Sequence, residues 1–267
     1  MKKTNWRHLL ICIGFVFLVC SVNAQSAEPY LNPAGCPTAD VLRKNEKLLC
    51  AWGWGAYGLS DRTTLFYDWL LVFSGIPSGY LRYQLPLDTK KITHAIEVFG
   101  VYMNSGDKDF VSVTNPAFEI RQKGWDSWVH WNTTYKLTNS MRLHASAGAT
   151  YDTYQRYVPK EEAQFTSEKI YENYYTPDYA LGCDYSLNKS VKLSLNYSSG
   201  NGFFIADQNP QRWAMQMGIQ LAPFLDSKHK FLSSMRVELW GYYVNYTELN
   251  YEEKLPVPIF PLVMWQW

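Results

Sequence analysis

From residue 49 onward the chain is written in alternation. Val129, Trp131, Thr133, Tyr135 and Leu137 alternate with His130, Asn132, Thr134 and Lys136. After a tight turn, Met141, Leu143, Ala145, Ala147, Ala149 and Tyr151 alternate with Arg142, His144, Ser146, Gly148, Thr150 and Asp152. Side chains two apart share one face of a strand. The pattern therefore predicts a hairpin with an apolar, aromatic-edged face and a polar face of modest side chains.

The same pattern recurs along the chain. Leu65 to Phe73, Leu81 to Leu85, Ile96 to Tyr102, Tyr179 to Leu187, Val191 to Tyr197, Trp213 to Leu221 and Met235 to Tyr243 each alternate. A first strand is predicted from Leu49 to about Leu59, giving ten strands in all. Two further segments, 110–122 and 255–267, bring the number to twelve, although Pro116, Pro256, Pro258 and Pro261 interrupt them and proline cannot donate to a ladder. The predicted turns at 60–62, 138–140, 187–190 and 223–229 are short, and the connections at 155–173, 198–210 and 247–254 are longer and fall between them.

Backbone groups in lipid must all be paired, so a spanning sheet has to close on itself. The expected fold is all-β: a closed antiparallel transmembrane β-barrel of ten to twelve strands, taken as twelve, with short periplasmic turns and longer extracellular loops. One feature conflicts with this layout. If the turn at Ser60–Arg62 is periplasmic, an upward strand is required before Leu49, and the pattern shows none.

The start of the chain reads differently. Lys2, Lys3 and Arg7 precede an apolar run from Leu9 to Val22, and Val22-Asn23-Ala24 is a small-residue cleavage site. Residues 1–24 are thus expected to be a signal peptide, the run being shorter than the ~18 residues of a helical span. Residues 25–47 form a polar, proline-bearing segment carrying Arg43, Lys44, Glu46 and Lys47. It is expected to be non-strand, with room for a short helix, and to lie in the periplasm or tuck into the lumen. The barrel is expected over 48–267. Cys36 and Cys50 flank this region and are a candidate disulfide in an oxidising compartment.

Composition adds little to this picture. A net charge of +1 gives no reason to expect nucleic acid. A mean hydropathy of −0.27 suits a barrel, in which only alternate residues need be apolar. Aromatic residues, 16% of the chain, suit membrane interfaces. No His/Cys/Asp/Glu cluster has metal-ligand spacing and no Gly-rich phosphate loop is present, so no cofactor or metal is expected.

Candidate chemistry lies on the polar phase. The expected lumen-lining residues are Arg82, Glu97, His130, Lys136, Arg142, Asp152, Asp178, Asp184, Lys192, Arg212, Arg236 and Glu238. Both signs are mixed, which fits either an interior filled by ion pairs or a polar path for small solutes. His144 and Ser146 are weak catalytic candidates, since two residues apart on a strand places a base beside a nucleophile.

The chain ends on Val263, Trp265 and Trp267 in alternation. With the signal peptide and the repeated hairpins, this ending resembles bacterial outer-membrane β-barrel proteins of porin or transporter type. The resemblance implies Val263, Trp265 and Trp267 as the signal read by the barrel-assembly machinery. It also implies residence in the outer membrane of a Gram-negative bacterium, among lipid and lipopolysaccharide. The function it implies is a channel or transporter for small solutes. The alternatives are a closed structural, receptor-like or adhesive barrel acting through its loops, or an acyl hydrolase. His144-Ala145-Ser146 has the His-x-Ser spacing of outer-membrane phospholipase A and the lipid A deacylases, but those families place the pair toward lipid and commonly follow it with Asn, where Ala147 stands here.

Overall fold

A computed structural model describes residues 37–51, 53–69, 78–104, 123–158, 168–200, 213–245 and 259–267. Twelve antiparallel strands close into one barrel. They are β1 (Lys47–Cys50), β2 (Trp54–Ser60), β3 (Thr63–Asp68), β4 (Ser78–Gln84), β5 (Ile92–Asn104), β6 (Lys123–Lys136), β7 (Met141–Val158), β8 (Glu168–Ser186), β9 (Val191–Ser199), β10 (Trp213–Leu221), β11 (Met235–Asn245) and β12 (Ile259–Gln266). Each pairs with its neighbours in sequence, and β1 closes onto β12 with Leu48 opposite Gln266 and Cys50 opposite Met264.

The strand expected over 49–59 is two strands. Gly53 takes φ 108, a conformation that favours glycine, and its N–H bonds the Cys50 carbonyl at 3.3 Å. The chain reverses there, so β1 is the upward strand missing from the sequence reading. It escaped notice because it is four residues long and apolar on both faces. Residues 110–122 lie outside the described residues, and β5 pairs directly with β6.

The turns between β2–β3, β4–β5, β6–β7, β8–β9 and β10–β11 share one rim with the start of β1 and the C-terminus, where Lys47 and Trp267 exchange main-chain bonds. The β10–β11 connection carries a short helix, α1 (Lys230–Ser233). The longer connections of the opposite rim lie outside the described residues.

The polar stretch 155–173, expected as a loop, is partly ladder: β7 and β8 pair from Met141–Tyr185 to Val158–Glu168. At 18 and 19 residues they exceed the ~9–11 that a tilted strand needs to cross lipid. Beyond the bilayer a ladder needs paired backbone but no apolar face, so polar composition did not predict its end.

Pro261 sits within β12 opposite Leu239 of β11. On its other side β12 loses β1, whose last bond is Ala51 N–H to the Val263 carbonyl at 2.9 Å. Beyond that point β12 is an edge among the described residues, where proline costs no ladder bond.

The outer face is apolar. Leu81, Val98, Val129 and Leu181 are 45%, 50%, 52% and 64% exposed. Three outer ring pairs follow one another around the long-loop end: Tyr102–Trp125 at 5.0 Å, Tyr151–Tyr175 at 4.6 Å and Tyr197–Trp213 at 6.0 Å. Amphipathic rings in such a row are the girdle of a membrane interface.

Candidate functional site in the barrel lumen

The interior has two unlike walls. The inward positions of β1–β3 and β12 are mostly apolar: Leu48, Cys50, Ala56, Phe66, Leu262 and Met264 form one buried cluster, with Trp54, Tyr80 and Trp240 packed against it. The arc from β5 to β11 is polar. Glu97, His130, Asp178, Asp184, Lys192 and Glu238 are all buried there.

The N-terminal segment lies between these walls. Among its described residues there is no helix. Thr38, Ala39 and Leu42 are buried, and Leu42 completes the apolar cluster. Burying one leucine is worth about 1.5–3 kcal/mol. The segment's own N–H groups need partners once removed from water. Thr134 Oγ1 on β6 accepts from Ala39 N–H at 2.8 Å, and Thr64 Oγ1 on β3 accepts from Leu42 N–H at 2.7 Å.

The segment leaves the lumen through a turn at Arg43–Glu46. Glu46 N–H bonds the Arg43 carbonyl at 3.0 Å, and Asn45 takes φ 67. Asn45 N–H reaches the Gly58 carbonyl at 2.8 Å, and Gly58 N–H reaches the Glu46 carbonyl at 2.9 Å. A Cβ on Gly58 would lie 1.8 Å from the Arg43 oxygen, so this close approach requires glycine.

Two arginines join the segment to the polar wall, and they do so alike. Arg82 on β4 lies opposite Glu97 on β5 and engages that carboxylate through Nε and Nη2. Arg142 on β7 lies opposite Asp184 on β8 and engages it through Nε, at 3.1 and 3.0 Å, and through Nη2. In both, Nη1 turns to Asp40. Arg82 Nη1 donates to the Asp40 main-chain oxygen at 2.8 Å, and Arg142 Nη1 donates to Asp40 Oδ2 at 2.7 Å.

Further charges surround this centre. His144 donates or accepts at both nitrogens: Nε2 is 3.1 Å from Asp184 Oδ2 and Nδ1 is 3.0 Å from Thr134 Oγ1. Lys192 Nζ stands 3.9 Å from Asp184. Further up the wall, His130 Nε2 meets Asp178 at 2.9 Å, Thr150 donates to the same carboxylate, and Trp128 stacks on His130 at 4.4 Å. Phe66 and Tyr80 stack at 4.2 Å, and the Arg82 guanidinium lies 4.9 Å from the Phe66 ring centroid.

Other expected lumen residues stand apart. Arg236 is buried but serves the rim, donating through Nη1 to the Ser233 and Met235 carbonyls at 2.7 and 2.8 Å. Lys136 is exposed at the short-turn rim rather than inside, because β6 ends there. Arg212, the Asp152 side chain, the signal peptide and Cys36, and with it the Cys36–Cys50 pairing, lie outside the described residues.

Ser146 is buried in the lumen next to His144, but among the described residues its Oγ has no hydrogen-bond partner and both His144 nitrogens are engaged elsewhere. Asn132 and Ser198, in the same register row as Ser146, also present inward polar atoms that have no partner among the described residues.

The residue that sequence reasoning missed is Asp40. It reads as one acid in a polar leader, and no periodicity marks it.

No protein-family model matches the chain, and none of the curated proteins matches it. Solved structures of similar shape include a NanC porin (7% identity, TM-score 0.43, covering 84% of this chain and 93% of that one). Others are the CymD monoaromatic hydrocarbon channel (12%, 0.40, 83% and 72%) and the outer-membrane channel DcaP of Acinetobacter baumannii (12%, 0.37, 91% and 68%). Likeness at this level assigns neither subfamily nor solute.

Proposed function

We propose that this chain is an outer-membrane channel for small polar solutes. In this reading a signal peptide directs export, the barrel-assembly machinery reads Val263, Trp265 and Trp267, and lipid and lipopolysaccharide surround the barrel in a Gram-negative cell. The observation that carries it is the contrast between the two faces of the same strands. Val129 and Leu181 are exposed outside, while their neighbours His130 and Ala180 are buried within, beside Asp178, Asp184 and Glu97. Buried charge is costly unless it is paired, and an apolar belt over a paired, charged interior is the arrangement of a membrane barrel with a polar lumen. The test is single-channel recording of the purified full chain in planar bilayers. Stable conductance supports the channel.

A second reading is a closed receptor-like or adhesive barrel, and the specific observation favouring it is the burial of Thr38, Ala39 and Leu42 in the lumen. Electrical silence from a folded, heat-modifiable barrel would select it. The acyl-hydrolase reading finds no support in the geometry, since His144 has no free nitrogen toward Ser146 and a nucleophile needs its base within reach.

A further inference from the structure

We infer that the paired arginines form a carboxylate-binding site in the lumen, which the chain occupies with its own Asp40, the side chain on Arg142 and the main-chain oxygen on Arg82. The inference deepens the channel reading by naming a solute class, and it depends on that reading only for the solute's route inward.

The evidence begins with how each guanidinium is divided. Arg82 and Arg142 commit Nε and Nη2 to the wall carboxylate opposite in register, Glu97 and Asp184. That bond fixes the plane and direction of each fork. The remaining Nη1 of each projects toward the interior. Among the described residues, no wall residue accepts from either Nη1; the acceptors are Asp40 and, at 3.5 Å from Arg82, Thr38. A wall built only to be packed would have spent these donors on itself, as it does with the other edge of each fork.

Charge points the same way. Arg142 carries two carboxylates, Asp184 from the wall and Asp40 from the segment, while Lys192 stands between Asp184 and the buried Glu238. With Asp40 withdrawn, the Arg142 Nη1 is left facing the interior for an incoming anion of the same geometry.

The occupant is also replaceable. The Arg142 and Asp40 side chains keep 13% and 19% exposure, so water reaches the pair. Among the described residues, 37–42 make no main-chain ladder with the wall; Ala39 and Leu42 are held through threonine hydroxyls. The tether is the Arg43–Glu46 turn at the rim. A small solute carboxylate can take the place of the Asp40 carboxylate on Arg142, and reaches Arg82 as well when the segment swings on that turn and withdraws the Asp40 main-chain oxygen.

The experiment compares benzoate with benzamide, which match in size and differ in charge, by calorimetry on the full chain in detergent. Wild-type protein should bind benzoate weakly. Asp40→Ala should bind it about tenfold more tightly, because the competent fraction rises, and benzamide should bind alike to both. Adding Arg142→Gln to Asp40→Ala should abolish the benzoate preference. If that double variant fails to show a heat-modifiable folded band, Arg142→Lys in the same background decides, since it keeps the charge, loses the fork and should give intermediate affinity. Equal binding of benzoate and benzamide by Asp40→Ala overturns the site, as does benzoate binding unaffected by either Arg142 change. A barrel that conducts without benzoate preference keeps the channel and loses the site. A silent barrel in which Asp40→Ala prefers benzoate keeps the site and loses the channel.

Discussion

Asp40 and Arg142 stand 102 positions apart in the chain and meet at 2.7 Å, Oδ2 to Nη1, inside the barrel. The contact joins a segment outside the sheet to the polar wall, while Leu42, two residues on, joins it to the apolar wall. The segment is thus amphipathic in the same sense as the lumen that holds it, and its seating can be tested one anchor at a time.

Thr64→Val removes the acceptor for Leu42 N–H while keeping the side chain's shape. A buried amide without a partner costs about 1–3 kcal/mol. Hydrogen exchange at Leu42 is expected to quicken by roughly tenfold or more, with exchange in β9 and β10 unchanged. Unaltered protection at Leu42 would show that the hydroxyl does not hold the segment.

Gly58→Ala places a methyl group 1.8 Å from the Arg43 oxygen. The turn must move, and overpacking of this kind costs about 1–3 kcal/mol. The folded band should convert to the unfolded one at lower temperature in a heat-modifiability series. Arg43 and Lys44 should become more readily cut by trypsin.

Removing Arg142 takes the forked partner from buried Asp184, which keeps only His144 at 3.1 Å and Lys192 at 3.9 Å, and takes the guanidinium from Asp40. Arg142→Met should destabilise by about 3–5 kcal/mol in urea unfolding followed by tryptophan fluorescence. The double change Arg142→Met with Asp184→Leu should recover much of that loss. A double variant as unstable as the sum of the singles would mean that the two residues act independently.

Among the described residues, Ser146 Oγ makes no hydrogen bond. Ser146→Ala is therefore expected to leave stability within about 1 kcal/mol or raise it slightly, since a partnerless buried hydroxyl is itself a cost. Conductance should be unchanged. Phospholipid or lipid A deacylation by wild-type protein that disappears in Ser146→Ala would overturn the geometric case against catalysis.

The barrel was legible where strand faces contrast. In β6 and β7 every apolar residue has a polar neighbour, so phase, turn and register could all be read from Trp128 to Asp152. Legibility failed where contrast was missing. β1 carries Leu48 and Leu49 on opposite faces, and β12 carries Leu262, Val263, Met264 and Trp265 in an unbroken run. In β1 a period of two leaves no trace, and in β12 it marks the outward Val263, Trp265 and Trp267 without a polar inward set, so neither the four-residue strand nor the apolar half of the lumen was evident. Most charged wall residues could be named, because a charge on the inward phase is conspicuous. Lys136 was misplaced because alternation gives the face of a strand and says nothing about how far along it the barrel ends. Asp40 could not be found at all, since its importance comes from Arg82 and Arg142, and nothing local to it announces them.

The shortness of β1 bears on how the molecule is made. Its four residues must meet β12, the last barrel strand in chain order, before the cylinder is complete. The seam therefore forms only after the ten strands between them have been made, and the loop closed by that meeting contains all ten. Because the lumen segment is continuous with β1, locking the seam also fixes the depth of the segment at its lower end. The two ladders of β1, with β12 and with β2, are the shortest of the circumference at three register pairs each, so when the cylinder is forced or heated it should part beside β1, releasing the segment as it opens.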